Sequence, residues 1–197
     1  MNKLKSGYFS SLVTLIFGSL YILALLFSLL GLFSKPWDTF WQLLPSIFLA
    51  WSFMASVAII FKSRSDSVSV WPIVGLSFAI IYSTINSIVY FTELTVVIPK
   101  IIENDYSSLS LLLFEPGKFL FAINGLAYTL MSVSAFFVSF SFKNQGSDRF
   151  PKWALFAHGI VGPFILGAVL WAPLTYIGAL WIFTFPIMCI ALMRYFK

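Results

Sequence analysis

Polar side chains recur at helical spacing inside an otherwise apolar part of the chain. They are Tyr82, Asn86, Tyr90 and Glu93, separated by four, four and three positions. A helix places residues at this spacing on one face, where amide, phenol and carboxyl groups could together bind a small ligand or an ion. Because an unsatisfied polar group in hydrocarbon costs several kcal/mol, we expect other helices or a ligand to cover this face.

The next apolar segment repeats part of this pattern. Residues 85–90 read INSIVY and residues 123–128 read INGLAY, so both contain Asn-x-x-x-Tyr. In antiparallel helices Asn86 and Asn124 would lie at the same depth, about 10 Å from the outer boundary at 1.5 Å per residue. We therefore predict contact between these asparagines and a polar pocket between spans three and four. Its predicted lining is Tyr82, Asn86, Tyr90, Glu93, Asn124 and Tyr128.

Glu93 has two interpretations. A carboxylate within a membrane span typically belongs to an ion or substrate path. Glu93 stands at the predicted outer end of its span, however, where water and lipid headgroups reach it. The alternative to a binding role is therefore an interfacial carboxylate.

The chain contains a single histidine, His158, which we place about 9 Å into span five at 1.5 Å per residue. We expect a neutral side chain that hydrogen-bonds Ser134, Ser139 or a backbone carbonyl, with a protonatable role as the alternative. His158 and Glu93 are predicted to differ in height by about 20 Å in a core about 30 Å thick. That separation is too large for acid–base catalysis.

No other arrangement of side chains indicates an enzyme. The sequence contains neither the His, Glu and Asp spacings of a metal site nor a Gly-x-Ser-x-Gly or phosphate-binding glycine motif. The single cysteine, Cys189, excludes an intramolecular disulfide. We predict no catalytic residue, no metal and no cofactor, and enzymatic activity is the less favoured class.

Composition indicates that lipid is the solvent of these segments. Of 197 residues, 60% are hydrophobic and 10% charged, whereas soluble domains carry about a quarter charged residues. The mean hydropathy is +0.95. We predict an all-α integral membrane protein of the cell membrane, with the lipid bilayer as its partner. The net charge of +5 is scattered over short loops and does not indicate a nucleic-acid partner; protein partners and homo-oligomers stay open.

Six segments are long enough to cross a hydrocarbon core and form one domain. The sequence WAPLT at 171–175 divides the final tract into halves of about 19 residues, each about 28 Å long as a helix; a re-entrant element is the alternative. Residues 94–117 are the predicted long outer loop. The predicted spans are 8–33, 41–61, 71–93, 118–142, 153–171 and 175–193.

Charge distribution provides an independent test of the six spans. With the amino terminus inside, nine of the 12 Lys and Arg residues fall on the inner side, which is the asymmetry of cytoplasmic segments. Both termini are therefore predicted to be cytoplasmic. The nine residues are Lys3, Lys5, Lys62, Arg64, Lys143, Arg149, Lys152, Arg194 and Lys197.

Small residues recur in span five. Gly159, Pro163 and Gly167 occupy every fourth position, a spacing that lets a neighbouring helix approach closely. Pro163 lies in mid-span and should kink the helix.

These patterns support two functions of different classes. The first is binding or transport of a small amphiphile, lipid or ion in the pocket between spans three and four. The second is a structural or accessory membrane protein without a ligand, whose polar residues only hold helices together.

Overall fold

The computed structural model describes residues 3–64, 69–107 and 109–197, and every regular element within them is helical. Six segments are long and apolar enough to cross a membrane. The predicted all-α bundle of six transmembrane helices is therefore confirmed. The segments are Leu4–Leu29, Trp37–Ser63, Trp71–Ile102, Phe119–Ser139, Gly146–Leu170 and Ala172–Phe196.

The first two spans form an antiparallel hairpin of α1 (Lys3–Leu29) and α2 (Trp37–Ser63). Helix α1 stops short of the predicted limit at residue 33 because Gly31 adopts a φ of 70°, a conformation that favours glycine. The Gly31 amide donates to the Ser28 carbonyl, which caps the last turn of the helix.

Span three continues nine residues beyond its predicted end at Glu93. Helix α3 (Trp71–Thr92) passes into a π-helical turn, Glu93–Val97, and then into α4 (Ile98–Ile102). Pro99 lies just after the π turn and has no amide hydrogen to donate to the carbonyl four residues earlier. A widened turn accommodates a proline ring inside a helix that continues.

The connection after α4 covers residues 103–118, so the predicted loop of 94–117 begins too early. Ser108 lies outside the described residues. The connection folds back over the end of the bundle: Leu109 is buried, and Glu115 accepts a hydrogen bond from Lys35 at 2.8 Å. This segment therefore covers the C-terminal end of span three.

Helix α5 (Phe119–Ser139) packs against α3. The Ser134 hydroxyl donates to the Gly75 carbonyl across 2.7 Å. A Cβ at Gly75 would overlap Val138. The two helices that carry the Asn-x-x-x-Tyr motifs are therefore direct neighbours.

Span five is broken, as the proline predicted, into α6 (Arg149–Ile160) and α7 (Gly162–Leu170), with Val161 between them. A Cβ at Gly159 would lie 2.7 Å from Phe136 Cα on α5. The predicted close approach is confirmed at this glycine. Gly167 instead faces the Leu174 side chain.

The last hydrophobic tract forms two spans, as predicted. A 3₁₀ turn, Ala172–Leu174, separates α7 from α8 (Thr175–Gly178) and α9 (Trp181–Phe196). The Phe196 ring packs against Gly7 of α1. Both chain ends therefore lie at the same end of the bundle, which we call the terminal end.

The six spans close into a ring. Each packs against its neighbours in the sequence, and α9 packs against α1 as well as α6. At the terminal end, the Arg64 guanidinium binds Asp148 at 2.6 Å and lies over the rings of Phe142 and Tyr195 at 4.6 and 5.1 Å. This cluster joins the ends of four spans, so Arg64 has a structural contact as well as its contribution to the charge asymmetry.

Candidate functional site

An aromatic cluster formed by Tyr21, Tyr82, Tyr128 and Trp181 occupies the middle of the ring. Tyr128 is its centre, with ring centroids at 6.2 Å from Tyr21, 6.0 Å from Tyr82 and 5.4 Å from Trp181. These four residues come from α1, α3, α5 and α9. The cluster therefore joins helices that are far apart in the sequence.

The two Asn-x-x-x-Tyr motifs meet through their tyrosines rather than their asparagines. The Tyr90 hydroxyl donates to the Tyr128 hydroxyl across 3.1 Å, and the pair is buried. Among the described residues, the Asn86 amide and the Asn124 Oδ1 atom have no hydrogen-bond partner. The predicted pairing of the two helices is thus present, but no hydrogen bond joins the two asparagines.

Tyr82 and Asn86 lie in the core of the bundle. Both side chains are 0% exposed. The Tyr82 hydroxyl and the Asn86 amide are close enough to interact electrostatically, but neither reaches hydrogen-bond geometry. At Tyr82, the face predicted to open into a pocket between spans three and four packs against Phe53 of α2, whose ring lies edge-on at 5.7 Å.

His158 is also fully buried. Its Nδ1 atom lies at hydrogen-bond distance, 3.1 Å, from Thr184 Oγ1 on α9. The serines predicted as its partners bond elsewhere: Ser134 donates to Gly75, and Ser139 to the Phe136 carbonyl. The contact joins α6 to α9, and a protonatable role for His158 stays a prediction.

A cavity that we call the main cavity has a volume of about 350 Å³. It lies between α1, α2, α5, α7, α8 and α9, in the half of the bundle away from the terminal end. Most of its lining is apolar. The polar lining residues are Tyr21, Gln42, Asn124, Tyr128, Thr175 and Trp181.

Small residues create this space. Gly125, Ala168, Gly178 and Ala179 all line the main cavity, and none of them has a side chain that could fill it. Only Asn124 and Tyr128 of the six predicted pocket residues line this cavity. Helix α3 contributes no residue to the wall of this cavity, and the pocket between spans three and four stays a prediction.

Two buried polar atoms on residues that line the main cavity have no partner within the described part of the chain. They are the Nε1 atom of Trp181, a donor, and the Oδ1 atom of Asn124, an acceptor. A buried polar atom without a partner is costly. One donor and one acceptor on otherwise apolar walls match the usual composition of a small-molecule site.

Glu93 lines a second cavity of about 170 Å³, which we call the Glu93 cavity. The side chain is 1% exposed, and its Oε1 atom has no hydrogen-bond partner. The expectation of a water-facing interfacial carboxylate is therefore wrong. Span three continues past Glu93, and the connection that carries Tyr106 and Leu113 covers it.

An ion pair stands at the wall of the Glu93 cavity. Lys35 and Glu115 both line this cavity and bind each other at 2.8 Å. The hydrogen bond with Glu115 raises the pKa of Lys35, and the same bond together with the lysine charge lowers the pKa of Glu115. Both groups are therefore charged at neutral pH, and they are largely exposed.

Comparison of the chain with protein-family models, with curated proteins and with solved structures finds no match.

Sequence reasoning missed Tyr21, Gln42, Thr175 and Trp181 as site residues. One signal for Trp181 was available. The tryptophans at 37, 41, 71, 153 and 171 lie near predicted span boundaries, where interfacial anchors are expected. Trp181 lies six residues inside predicted span six, so its indole nitrogen needs a partner in the bundle or in a ligand.

Proposed function

We propose that the protein binds one small amphiphile in the main cavity. The observation that carries this proposal is a largely apolar cavity of about 350 Å³ whose lining residues include Trp181 and Asn124, each with a buried polar atom that has no partner within the described residues. Ligand sites usually occupy about 300–1,000 Å³ and combine apolar walls with a few polar groups. A hydroxyl or amide head would accept a hydrogen bond from Trp181 and donate one to Asn124.

The surroundings of the main cavity favour a ligand that comes from the membrane. Leu170 and Tyr176, on either side of the turn that closes α7, are 86% and 85% exposed. In a lipid environment these side chains contact acyl chains. The apolar part of an amphiphile would pack against Phe121, Val169 and Ile182, where each buried methylene contributes about 0.8 kcal/mol.

A purely structural role is the competing proposal, and it has specific support in α3. The Tyr90–Tyr128 and Ser134–Gly75 hydrogen bonds join α3 to α5, which is the expected behaviour of polar residues in helix packing. Within the binding proposal, we therefore assign a packing role to Tyr82, Asn86 and Tyr90. We assign the ligand contacts to Asn124, Tyr128 and Trp181.

Cavity filling distinguishes the two functions. We expect a bromine-labelled medium-chain alcohol to quench the tryptophan fluorescence of the protein in nanodiscs with a saturable component, because bromine would lie beside Trp181. Ala168→Phe fills the cavity and should weaken this component about tenfold or more, a loss of at least about 1.4 kcal/mol. Ala157→Phe, on an exposed position of α6, is the matched control.

One result of this experiment would contradict binding in the main cavity. Quenching that rises linearly with the alcohol, and that Ala168→Phe leaves unchanged, would indicate partition into bulk lipid. The structural function would then be favoured. Trp181→Phe identifies the reporter, since it should remove the saturable component even if the ligand still binds.

A further inference from the structure

We propose that the Glu93 cavity is a second binding site, which takes a small organic ammonium group. Its central observation is a carboxylate that is 1% exposed, lines a cavity of about 170 Å³, and has an oxygen without a hydrogen-bond partner. A buried carboxylate is stable as an anion only beside a compensating charge or several donors. A cation in the cavity would supply that charge.

The backbone holds Glu93 in this position. The carboxylate belongs to the first residue of the π turn Glu93–Val97, and Thr95 satisfies the carbonyl of Phe91 with its hydroxyl at 2.6 Å. Single π turns inside α-helices occur frequently at functional sites. Pro99 disfavours a regular α-helix here. The local sequence therefore favours the π turn, which places Glu93 at the cavity.

The charges of the residues that line the cavity do not balance when Glu93 is ionised. Lys35 and Glu115 line the same cavity and form an ion pair with each other. When Glu93 is ionised, the wall therefore carries two carboxylates against one ammonium. A monovalent cation balances this set, whereas a divalent ion normally takes six or more oxygen ligands, with several carboxylates among them.

The remaining walls favour an organic cation over an inorganic one. Tyr106 and Phe114 provide aromatic rings, and Pro36, Ile98 and Leu113 provide apolar surface. Such walls contribute little favourable binding energy to a hydrated sodium or potassium ion. Both kinds of wall stabilise a bound alkylammonium, since aromatic faces attract cations and apolar walls cover the alkyl groups. This site stands on its own observations and does not depend on binding in the main cavity.

The test uses the purified full-length protein in detergent at constant ionic strength. We expect ethylammonium chloride to raise the thermal unfolding midpoint in a saturable way, with equal concentrations of sodium or potassium chloride giving a smaller effect. Glu93→Gln keeps the size of the side chain and removes its charge, so the half-saturating concentration should rise about tenfold or more. Glu103→Gln removes an exposed carboxylate on the adjoining connection and should leave the response unchanged.

Tyr106→Ala provides a second variant that avoids the core, because Tyr106 is 54% exposed. It removes one aromatic wall and should weaken the ammonium response several-fold. An equal response to sodium or potassium, or an unchanged response in Glu93→Gln and Tyr106→Ala, would overturn the proposal.

A further measurement distinguishes two sources of the ammonium group. If the group belongs to a lipid headgroup, adding phosphatidylethanolamine to the detergent should compete with ethylammonium and raise its half-saturating concentration. If it belongs to a water-soluble amine, the lipid should leave that concentration unchanged.

Discussion

At the scale of single residues, Tyr128 joins the packing of the bundle to the proposed site. It accepts a hydrogen bond from Tyr90, contacts three other aromatic rings of the cluster, and lines the main cavity. We expect Tyr90→Phe and Tyr128→Phe to be coupled, because either substitution alone removes their shared hydrogen bond. A double-mutant cycle of unfolding in mixed detergent should give a coupling energy of about 0.5–1.5 kcal/mol.

The asparagine pair serves as the matched control for that cycle. Since no hydrogen bond joins Asn86 to Asn124, the effects of Asn86→Leu and Asn124→Leu should add within about 0.5 kcal/mol. Additive tyrosine substitutions would refute the Tyr90–Tyr128 bond. A measurable coupling energy between the two asparagine substitutions would instead indicate the contact that their sequence spacing predicts.

At the scale of helices, glycines set how closely neighbouring spans approach. A methyl group on Gly159 would meet the backbone of Phe136, which cannot move without displacing α5. We expect Gly159→Ala to lower the free energy of unfolding by about 1–3 kcal/mol, the usual cost of overpacking. Unfolding in mixed detergent measures this loss.

Gly178→Ala is the control for steric overlap in a helix. The nearest atom to its added Cβ would be 3.6 Å away, and alanine favours a helix more than glycine does. This substitution should leave stability unchanged or raise it slightly. A loss at Gly178 equal to that at Gly159 would show that helix contact is not the cause.

At the scale of the whole molecule, the position of both chain ends at one end of the bundle agrees with an even number of spans. The charge asymmetry predicts that this end is cytoplasmic. Cysteines introduced at positions 65, 105 and 147 in a Cys189→Ser background test this orientation. An impermeant thiol reagent should label only position 105 in intact cells.

The controls for labelling follow from the structure. Cys189 is buried, so its replacement should not disturb an exposed surface, while Asp105 is partly exposed and Ser147 is exposed. Ser65 lies outside the described residues and is included on the sequence argument. Labelling at position 65 or 147 from outside would reverse the predicted orientation.

The sequence by itself determined the features that depend on local properties of the chain. The lengths of the apolar segments predicted six spans, because a membrane-spanning helix must match the thickness of the hydrocarbon core. The WAPLT sequence predicted the boundary between the last two spans. Pro163 predicted the break in span five, since a proline in the interior of a helix removes a helical hydrogen bond and its ring clashes with the preceding turn. Gly159 predicted close approach because a missing side chain permits it in any bundle.

Only the tertiary structure decided which faces meet and what covers them. Helical spacing placed Asn86 and Tyr90 on one face, but it could not decide that the longer tyrosine side chains, and not the amides, would reach across to α5. Glu93 was expected in water because nothing in its own span shows that residues 103–118 fold back over it. The main cavity combines residues from six helices, and the periodicity of one helix carries no information about its partners.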